Sequence, residues 1–181
     1  DSKKKVAVVE YSKQLFLESA NRLGFTPEET EMAMILAKNE IVTEPHVIFQ
    51  SVSMYEKCVD ADIRRIRNSN KSPDELKRID AILSEMRKKT GYFRLPLEFP
   101  LSTSRNISIG QVGSIFGVDH RTPLVHRAYV SESNEFNFVL KFDVEEEDIL
   151  RVAPGDIVKF AFSRQSDSVY SFNLKVVSYS Q

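Results

Sequence analysis

The chain has 181 residues, of which 41% are hydrophobic and 28% are charged, and its formal net charge is −1. This hydrophobic content can build packed cores and excludes wholesale disorder, while the near-neutral charge argues against a partner bound through nucleic-acid phosphates. The only cysteine, Cys58, excludes an intrachain disulfide framework and fits a reducing compartment.

The first half of the chain has the period of about four helices. Gly24 is suited to end the first helix, and Thr26-Pro27-Glu28-Glu29 carries a full start signal for the second. Thr43-Glu44-Pro45 predicts the start of a longer third helix. Ser72-Pro73-Asp74-Glu75 forms a second capping box, and the last helix ends at Thr90-Gly91. Residues 1–91 are therefore predicted to form a helical domain.

Basic residues of this half fall near predicted helix ends. Arg64, Arg65 and Arg67 follow the third apolar stripe, and Arg87, Lys88 and Lys89 occupy the final turn of the fourth helix. Cations are favourable there because the carboxyl end of a helix carries partial negative charge. We interpret the cluster of Arg64, Arg65 and Arg67 as a solvated helix face.

The second half changes to a period of two, which is typical of strands with one apolar and one mostly polar face. Two less regular strands are predicted at 107–116 and 124–130, and Ser131-Glu132-Ser133-Asn134 turns the chain into the third. The apolar positions of the three regular strands are Phe136, Phe138, Leu140 and Phe142, then Val158, Phe160 and Phe162, and then Tyr170, Phe172, Leu174 and Val176.

A sheet with one apolar face must be covered or close on itself, which favours a small antiparallel barrel. Pro96 and Pro100 mark residues 92–102 as a connector between this barrel and the helices. The predicted fold class is α+β, with a helical domain at 1–91 followed by an antiparallel split barrel at 103–181.

The chemistry-bearing residues do not form a catalytic or metal-binding pattern. His46, His120 and His126 lack metal-ligand spacing, and no P-loop, dinucleotide-binding glycine pattern or nucleophile elbow is present. Asp119-His120 has no nucleophile motif beside it, and residues 145–148 are an acidic run without the spaced oxygens of a calcium loop. The sequence therefore predicts no enzyme activity, no metal and no cofactor.

One exposed stripe is predicted on the second strand. Val125, Arg127 and Tyr129 share a face, because successive strand residues alternate, and His126 points to the other side. Arg127 and Tyr129 are therefore candidates for a partner surface. We add Ser102, Ser104 and Arg105, which immediately precede the first predicted strand.

Several short motifs follow one another in the same order as the predicted elements. They are Phe16, Ala20 and Leu23 to Thr26 with Glu29, then Pro45, Ile48, Phe49, Ser51 and Val52, then Leu101 to Arg105 with Ile107, Gly110 and Gln111, then Gly155-Asp156, and finally Phe162, Tyr170 and Phe172. Together they resemble the region ahead of the nucleotide-binding domain in PilZ-family cyclic di-GMP receptors of the flagellar-brake type.

The resemblance implies a non-catalytic regulatory region that transmits nucleotide binding to a partner, such as part of the motility machinery. The family binds cyclic di-GMP through R-x-x-x-R and [D/N]-x-S-x-x-G elements, and neither occurs here. A PilZ domain carrying them is expected after Gln181, so cyclic di-GMP is expected to act only through that domain.

The resemblance also implies a cytoplasmic protein. Lys3-Lys4-Lys5 suits either a solvated terminus or the cytoplasmic flank of an upstream membrane helix that would tether the chain.

Two alternatives remain open at this point. One is a stand-alone small-barrel ligand binder or enzyme, which a perturbed titratable cluster in a deep pocket would favour. The other is single-stranded nucleic-acid binding by an OB-like barrel, which needs exposed aromatic rings beside basic residues. The aromatic residues of this chain alternate onto the apolar face, which favours a core and argues against that partner.

Overall fold

A computed structural model describes residues 2–93, 100–117, 125–142, 152–164 and 168–180, with side chains from residue 12 onward. Contact clustering divides the chain into two compact units, Asp1–Arg94 and Leu95–Gln181. Four α-helices precede five antiparallel strands, so the fold class is α+β. None of the helices within the described ranges combines the length and the apolar character that a bilayer crossing requires.

The first unit consists of four helices and a short 3₁₀ segment. Its fully buried side chains include Phe16, Leu36, Tyr55, Leu83 and Met86, one or more from each helix. Both predicted capping boxes are present. The hydroxyls of Thr26 and Ser72 accept from the amides of Glu29 and Glu75, and the carboxylates of these glutamates accept in return from the backbone amides of Thr26 and Ser72. The helices are α1 (Ser2–Arg22), α2 (Pro27–Asn39), α3 (Val52–Arg67) and α4 (Pro73–Thr90).

The third helix starts later than the sequence predicted. Pro45–Phe49 forms a 3₁₀ helix, and α3 begins only at Val52, after Ser51. The Ser51 backbone is extended, with φ −130°, and its hydroxyl accepts from the Met54 amide at 3.2 Å. A serine cap thus separates two helical segments that the apolar spacing had suggested were one.

A buried ion pair joins α3 to α4, at a position the sequence did not reveal. The guanidinium of Arg87 contacts the carboxylate of Glu56, and both side chains are more than nine-tenths buried. The same guanidinium lies 5.2 Å from the centre of the Tyr55 ring and donates to the Tyr92 carbonyl at 3.4 Å. The predicted position of Arg87 in the last turn of α4 is confirmed, but its burial against Glu56 was not predicted, whereas the neighbouring Lys88 lies at the surface.

The second unit is one five-stranded sheet in the order β3-β2-β1-β4-β5, with every neighbouring pair antiparallel. The chain forms two successive hairpins, after which β4 returns to pair with the free edge of β1. The strands are β1 (Val112–Gly117), β2 (His126–Ser133), β3 (Phe138–Phe142), β4 (Ile157–Ser163) and β5 (Val169–Lys175).

The β2–β3 turn lies later in the chain than predicted. β2 continues to Ser133, and the turn spans Asn134 to Asn137, where the Asn134 side-chain oxygen accepts from the amides of Phe136 and Asn137. A bulge between Val130 and Glu132 shifts the register just before it.

The predicted closed barrel was wrong. In the described residues β3 and β5 remain the two edges of the sheet, so it is not closed into a barrel. The sheet is nevertheless strongly curled, because the rings of Phe138 on β3 and Phe160 on β4 lie 6.3 Å apart, although β2 and β1 run between their strands. Three strand spacings in a flat sheet would be about 14 Å. Leu101 and Ile107, from the segment before β1, add to the cluster on this inner face.

The alternation predicted for the strands is confirmed on this inner face. Phe160 and Phe162 are buried, whereas Phe138, Phe172 and Leu174 are only partly buried and pack against them. Phe136 is also only half-buried, because it lies in the turn before β3. The difference follows from the open sheet, since its edge strands pack on fewer neighbours than the central strands do.

Truncation of the central ring tests this assignment of faces. Phe160→Ala is expected to lower the free energy of unfolding by roughly 3–5 kcal/mol, because it leaves a cavity among aromatic neighbours. The matched control is Val169→Ala on an exposed edge position, which should change it by less than about 0.5 kcal/mol. Urea unfolding followed by circular dichroism measures both. Equal effects of the two changes would show that the inner face has been misassigned.

The Glu56–Arg87 pair gives a second test. Arg87→Met leaves the Glu56 carboxylate buried without that cation, so a loss of roughly 3–5 kcal/mol is expected. The double variant Glu56→Leu/Arg87→Met removes both charges and should recover most of that loss. Unfolding of the two variants by urea separates the cases, and a single variant that is as stable as the parent chain would contradict the buried-pair assignment.

Candidate interaction surface

The outer face of the sheet, opposite the aromatic core, is the strongest candidate surface. Its members alternate with the buried positions and lie beside one another in the strand register. Tyr129 lies between Val112 and Lys141, and Ser114 lies between Arg127 and Ala161. The outer face is hereafter defined as Lys141, Val139, Arg127, Tyr129, Glu132, Val112, Ser114, Phe116, Ile157, Lys159, Ala161, Ser163, Val169, Ser171, Asn173 and Lys175.

This face collects cations in a unit that is acidic as a whole. Residues 95–181 contain 8 lysines and arginines against 11 aspartates and glutamates. Their only three lysines, Lys141, Lys159 and Lys175, all lie on the outer face, and Arg127 joins them. Glu132 is the acidic residue on the same side, opposite Val139 at one end of the sheet. A local positive face therefore exists despite the overall balance.

Apolar side chains lie between these cations. Val112, Val139 and Ile157 are each 42% exposed, and Tyr129 is 39% exposed beside Lys141. The ammonium of Lys159 lies 5.6 Å from the centre of the Phe116 ring, which accounts for part of that ring's cover. A surface that mixes exposed branched side chains with cations suits a partner that has apolar and acidic groups together.

The predicted surface residues fall in two places. Arg127 and Tyr129 are exposed on the outer face, and His126 is turned inward, as their alternation predicted. Ser102, Ser104 and Arg105 lie instead in the segment that contributes Leu101 to the inner cluster. Here the backbone amide of Leu101 donates to the hydroxyl of Tyr170, an inner-face residue, at 3.3 Å.

Arg105 has a structural partner. Its guanidinium lies 3.6 Å from the carboxylate of Glu135, and these two side chains are 10% and 5% exposed. A cation held in this way is poorly placed to receive a ligand. Ser102 is exposed and Ser104 half-buried, so of this segment Ser102 is the best-exposed polar group.

Residues that sequence reasoning missed are Lys141, Lys159 and Lys175. The alternation placed each lysine on the polar side of its own strand. Whether these polar sides lie on one face of the sheet depends on the pairing of β4 with β1. That pairing joins strands about forty residues apart, which no local pattern encodes.

The other candidate groups show no catalytic arrangement among the described residues. His126 is buried with its Nε2 atom unpaired, and its ring meets that of Phe142 edge-on at 6.3 Å. No cluster of three metal-ligating side chains occurs in the parts of the chain that the structure describes. Asp119, His120 and the acidic run 145–148 lie outside the described residues.

Comparisons with known proteins give no relative. No family model matches the chain, and neither the curated proteins nor the solved structures contain a significant match.

Cys58 is fully buried in α3. Desolvation raises the pKa of its thiol from the ordinary value of 9.0 to about 11, with a further contribution from the Glu40 carboxylate. Burial alone raises the pKa of the Tyr92 hydroxyl from 10.0 to about 12. Both groups are therefore neutral at physiological pH, and the thiol is a poor nucleophile.

These shifts predict alkaline destabilisation and a protected thiol. A folded-state pKa above the unfolded value contributes stability that is complete below the unfolded value and is lost as pH rises. The free energy of unfolding should thus fall from about pH 9 upward, as Cys58 and then Tyr92 ionise more readily in the unfolded chain.

Ellman's reagent should label Cys58 at neutral pH only when denaturant is present. Rapid labelling of the native chain would contradict its burial.

Proposed function

We propose that residues 1–181 form a non-catalytic interaction region of a PilZ-type cyclic di-GMP receptor, which passes nucleotide binding by a separate PilZ domain to a protein partner. The observation that carries the interaction role is the outer face, where all three lysines of the second unit gather with Arg127 among exposed apolar side chains. Such a face is suited to an acidic protein surface, for example in the motility machinery of a cytoplasmic signalling system.

Some of the residues that carry the family resemblance shape the sheet, which supports a sheet similar to the one in that family. Ile107 packs in the inner cluster, and Gly110 adopts φ +86° while its amide donates to the Val130 carbonyl at 2.7 Å. Gly155 adopts φ +102° in the turn that leads into β4. These roles concern folding, so they support a similarity in the sheet. Nucleotide binding is proposed for the separate PilZ domain.

The arrangement of arginines supports a region that does not bind the nucleotide itself. Recognition of a dianionic dinucleotide calls for convergent arginine forks. Arg105 is engaged with Glu135, and Arg127 lies on the outer face of β2, so these two do not form such a pair. The sequence contains no two arginines at R-x-x-x-R spacing.

Titration calorimetry tests whether cyclic di-GMP binding requires the proposed PilZ domain. Residues 1–181 alone should give no binding at nucleotide concentrations up to roughly 100 μM, which corresponds to an affinity weaker than about −5.5 kcal/mol. The same residues joined to a PilZ domain that carries R-x-x-x-R should bind. Hydrogen exchange in the joined protein should then change on the outer face when nucleotide is added. Micromolar binding by residues 1–181 alone would contradict the proposal.

A second candidate function is stand-alone binding of single-stranded nucleic acid. The observation that favours it is Tyr129, an exposed ring that lies between the cations Arg127 and Lys141. Stacking on such rings with nearby cations is the usual basis of sequence-independent binding. Phe116, by contrast, is covered by Lys159, so the face offers one open ring.

A fluorescent oligothymidylate separates the two candidates. Our proposal expects no binding tighter than about 10⁻⁴ M at physiological salt. If the oligonucleotide bound tightly, the Tyr129→Ala variant and the matched Val139→Ala control would show whether stacking is responsible. A selective loss in Tyr129→Ala would favour the nucleic-acid function over the receptor role.

A further inference from the structure

Three helices of the first unit end in the same backbone motif, with a left-handed residue just after the helix. The amide of the left-handed residue donates to the carbonyl three residues back, and the next amide donates to the carbonyl five residues back. After α1, the Gly24 amide donates to the Asn21 carbonyl and the Phe25 amide to the Ala20 carbonyl. Glycine occupies the left-handed position after α1 and α4, with φ +70° for Gly24 and +79° for Gly91. After α2 the position is held by Ile41, with φ +55°.

Ile41 breaks a local rule without a compensating contact. A β-branched residue is strongly disfavoured in the left-handed region, where glycine or asparagine is the usual choice. Its side chain is 88% exposed, so burial within this chain does not offset the strain. A strained residue whose apolar side chain projects into solvent points to a contact with another molecule.

The strained turn is held in place by α3. The Arg65 guanidinium donates to the Asn39 carbonyl at 2.6 Å, and the Asn39 amide group donates to Asp62 at 2.9 Å. The next residue, Glu40, pairs with Lys57 at 2.9 Å. Two residues immediately before Ile41 are thus fixed by polar contacts, and the isoleucine is presented on a rigid turn.

An apolar groove lies beside this projection. It has a volume of about 620 Å³ and lies between α1 and α2. Met34 and Lys38 of α2 line it, and Ile41 follows Lys38 by three residues, just past the end of the helix at Asn39. The projection therefore lies next to the Lys38 end of the groove, and together they form one strip of the surface. Its lining includes Leu17, Phe25, Met34 and Ile35, with Glu31 and Lys38 among its polar members.

Charge is polarised along the same strip. In the first half of α2, Glu28 is paired with Arg78, so Glu31 is the acidic member of the groove lining, whereas the last turn of α2 carries Lys38. Arg64 and Arg65 of α3 lie near that last turn, since both help to lower the pKa of Glu40, after the larger effect of its partner Lys57. An antiparallel copy of the strip would place Glu31 of one molecule against Lys38 of the other.

We propose that the chain forms a two-fold symmetric dimer through this strip, with Ile41 of each copy seated in the α1–α2 groove of the other. A self-complementary patch with an apolar projection, an adjacent groove and opposite charges at its two ends fits an isologous interface. The net charge of −1 opposes such self-association very little. The dimer does not depend on the proposed signalling role, because it uses only the first unit.

Sedimentation equilibrium of the full chain tests the dimer. The parent chain should dimerise with a dissociation constant in the range of about 10–500 μM, as expected for a small interface. Ile41→Gly and Ile41→Asn should weaken dimerisation at least about tenfold, since each removes a buried aliphatic group from the interface. Ile41→Leu keeps an apolar side chain and should retain the dimer.

Thermal unfolding of the same variants excludes a simple folding defect. Ile41→Gly relieves the left-handed strain, so its Tm should rise by about 4 °C while its dimer weakens. An Ile41→Gly variant that dimerised as well as the parent would contradict the proposal, and one that melted lower than the parent would contradict the strain on which the proposal rests.

A mixing experiment tests the pairing of projection and groove. Ile35→Arg keeps a good helix former but places a cation in the groove, opposite the basic end of the partner, so it should also weaken the dimer. Neither variant homodimer retains an intact contact, whereas a heterodimer of Ile41→Gly with Ile35→Arg retains one of the two. The mixture should therefore associate more tightly than either variant alone. A mixture no tighter than its components, or a parent chain that is monomeric at about 1 mM, would overturn the proposal.

Discussion

The inward curl of the sheet around Phe160 determines what the second unit can present to a partner. Phe160 contacts Phe162 on its own strand and Phe138 three strands away. The ring also lies close to Gly113, where a Cβ atom would come within 2.5 Å of the Ala161 carbonyl and 2.7 Å of the Phe160 ring. The missing side chain lets β1 approach the ring closely, and no other residue type would permit this without a shift of the backbone.

The core lies only on the concave side of the curled sheet. The side chains of the convex side, which is the outer face, are therefore exposed to solvent. The cations and branched side chains there are held at fixed spacings by the strand register, which gives a broad, ordered surface. That geometry favours recognition of another macromolecule over the enclosed chemistry of a small substrate. The helical unit is organised differently, since its Glu56–Arg87 pair places a charge interaction inside the core.

Local features of the fold could be predicted from the sequence, and non-local ones could not. The caps at Thr26 and Ser72 depend on groups three residues apart, and the strand alternation depends on neighbours two apart, so each is visible in a short window. The pairing of β4 with β1, and hence the open sheet, depends on long-range register. The burial of Arg87 depends on Glu56, 31 residues earlier in the chain, and on how two helices pack.

The candidate surface could likewise be predicted only where it depends on local features. Arg127 and Tyr129 were identified because their strand alternates, but the lysines that complete the face come from three other strands. The pairing of Arg105 with Glu135 was not predicted for a similar reason, because Glu135 lies thirty residues further along the chain. Ile41 could not be identified from the sequence, because an isoleucine near a helix end has no distinctive local pattern. Its strained conformation is visible only in the positive φ angle of the structure.

The open sheet also exposes two strands to a different hazard, which is edge-to-edge aggregation. Unpaired backbone groups on an outer strand can recruit a strand from another molecule, and natural proteins often prevent this with short edges and lysines. Here β3 is only 5 residues long and carries Lys141, while β5 ends at Lys175. The same two lysines that enrich the convex face thus stand on the two strands where the protein is most at risk of fibrillar assembly, so their loss would be costly for solubility as well as for recognition.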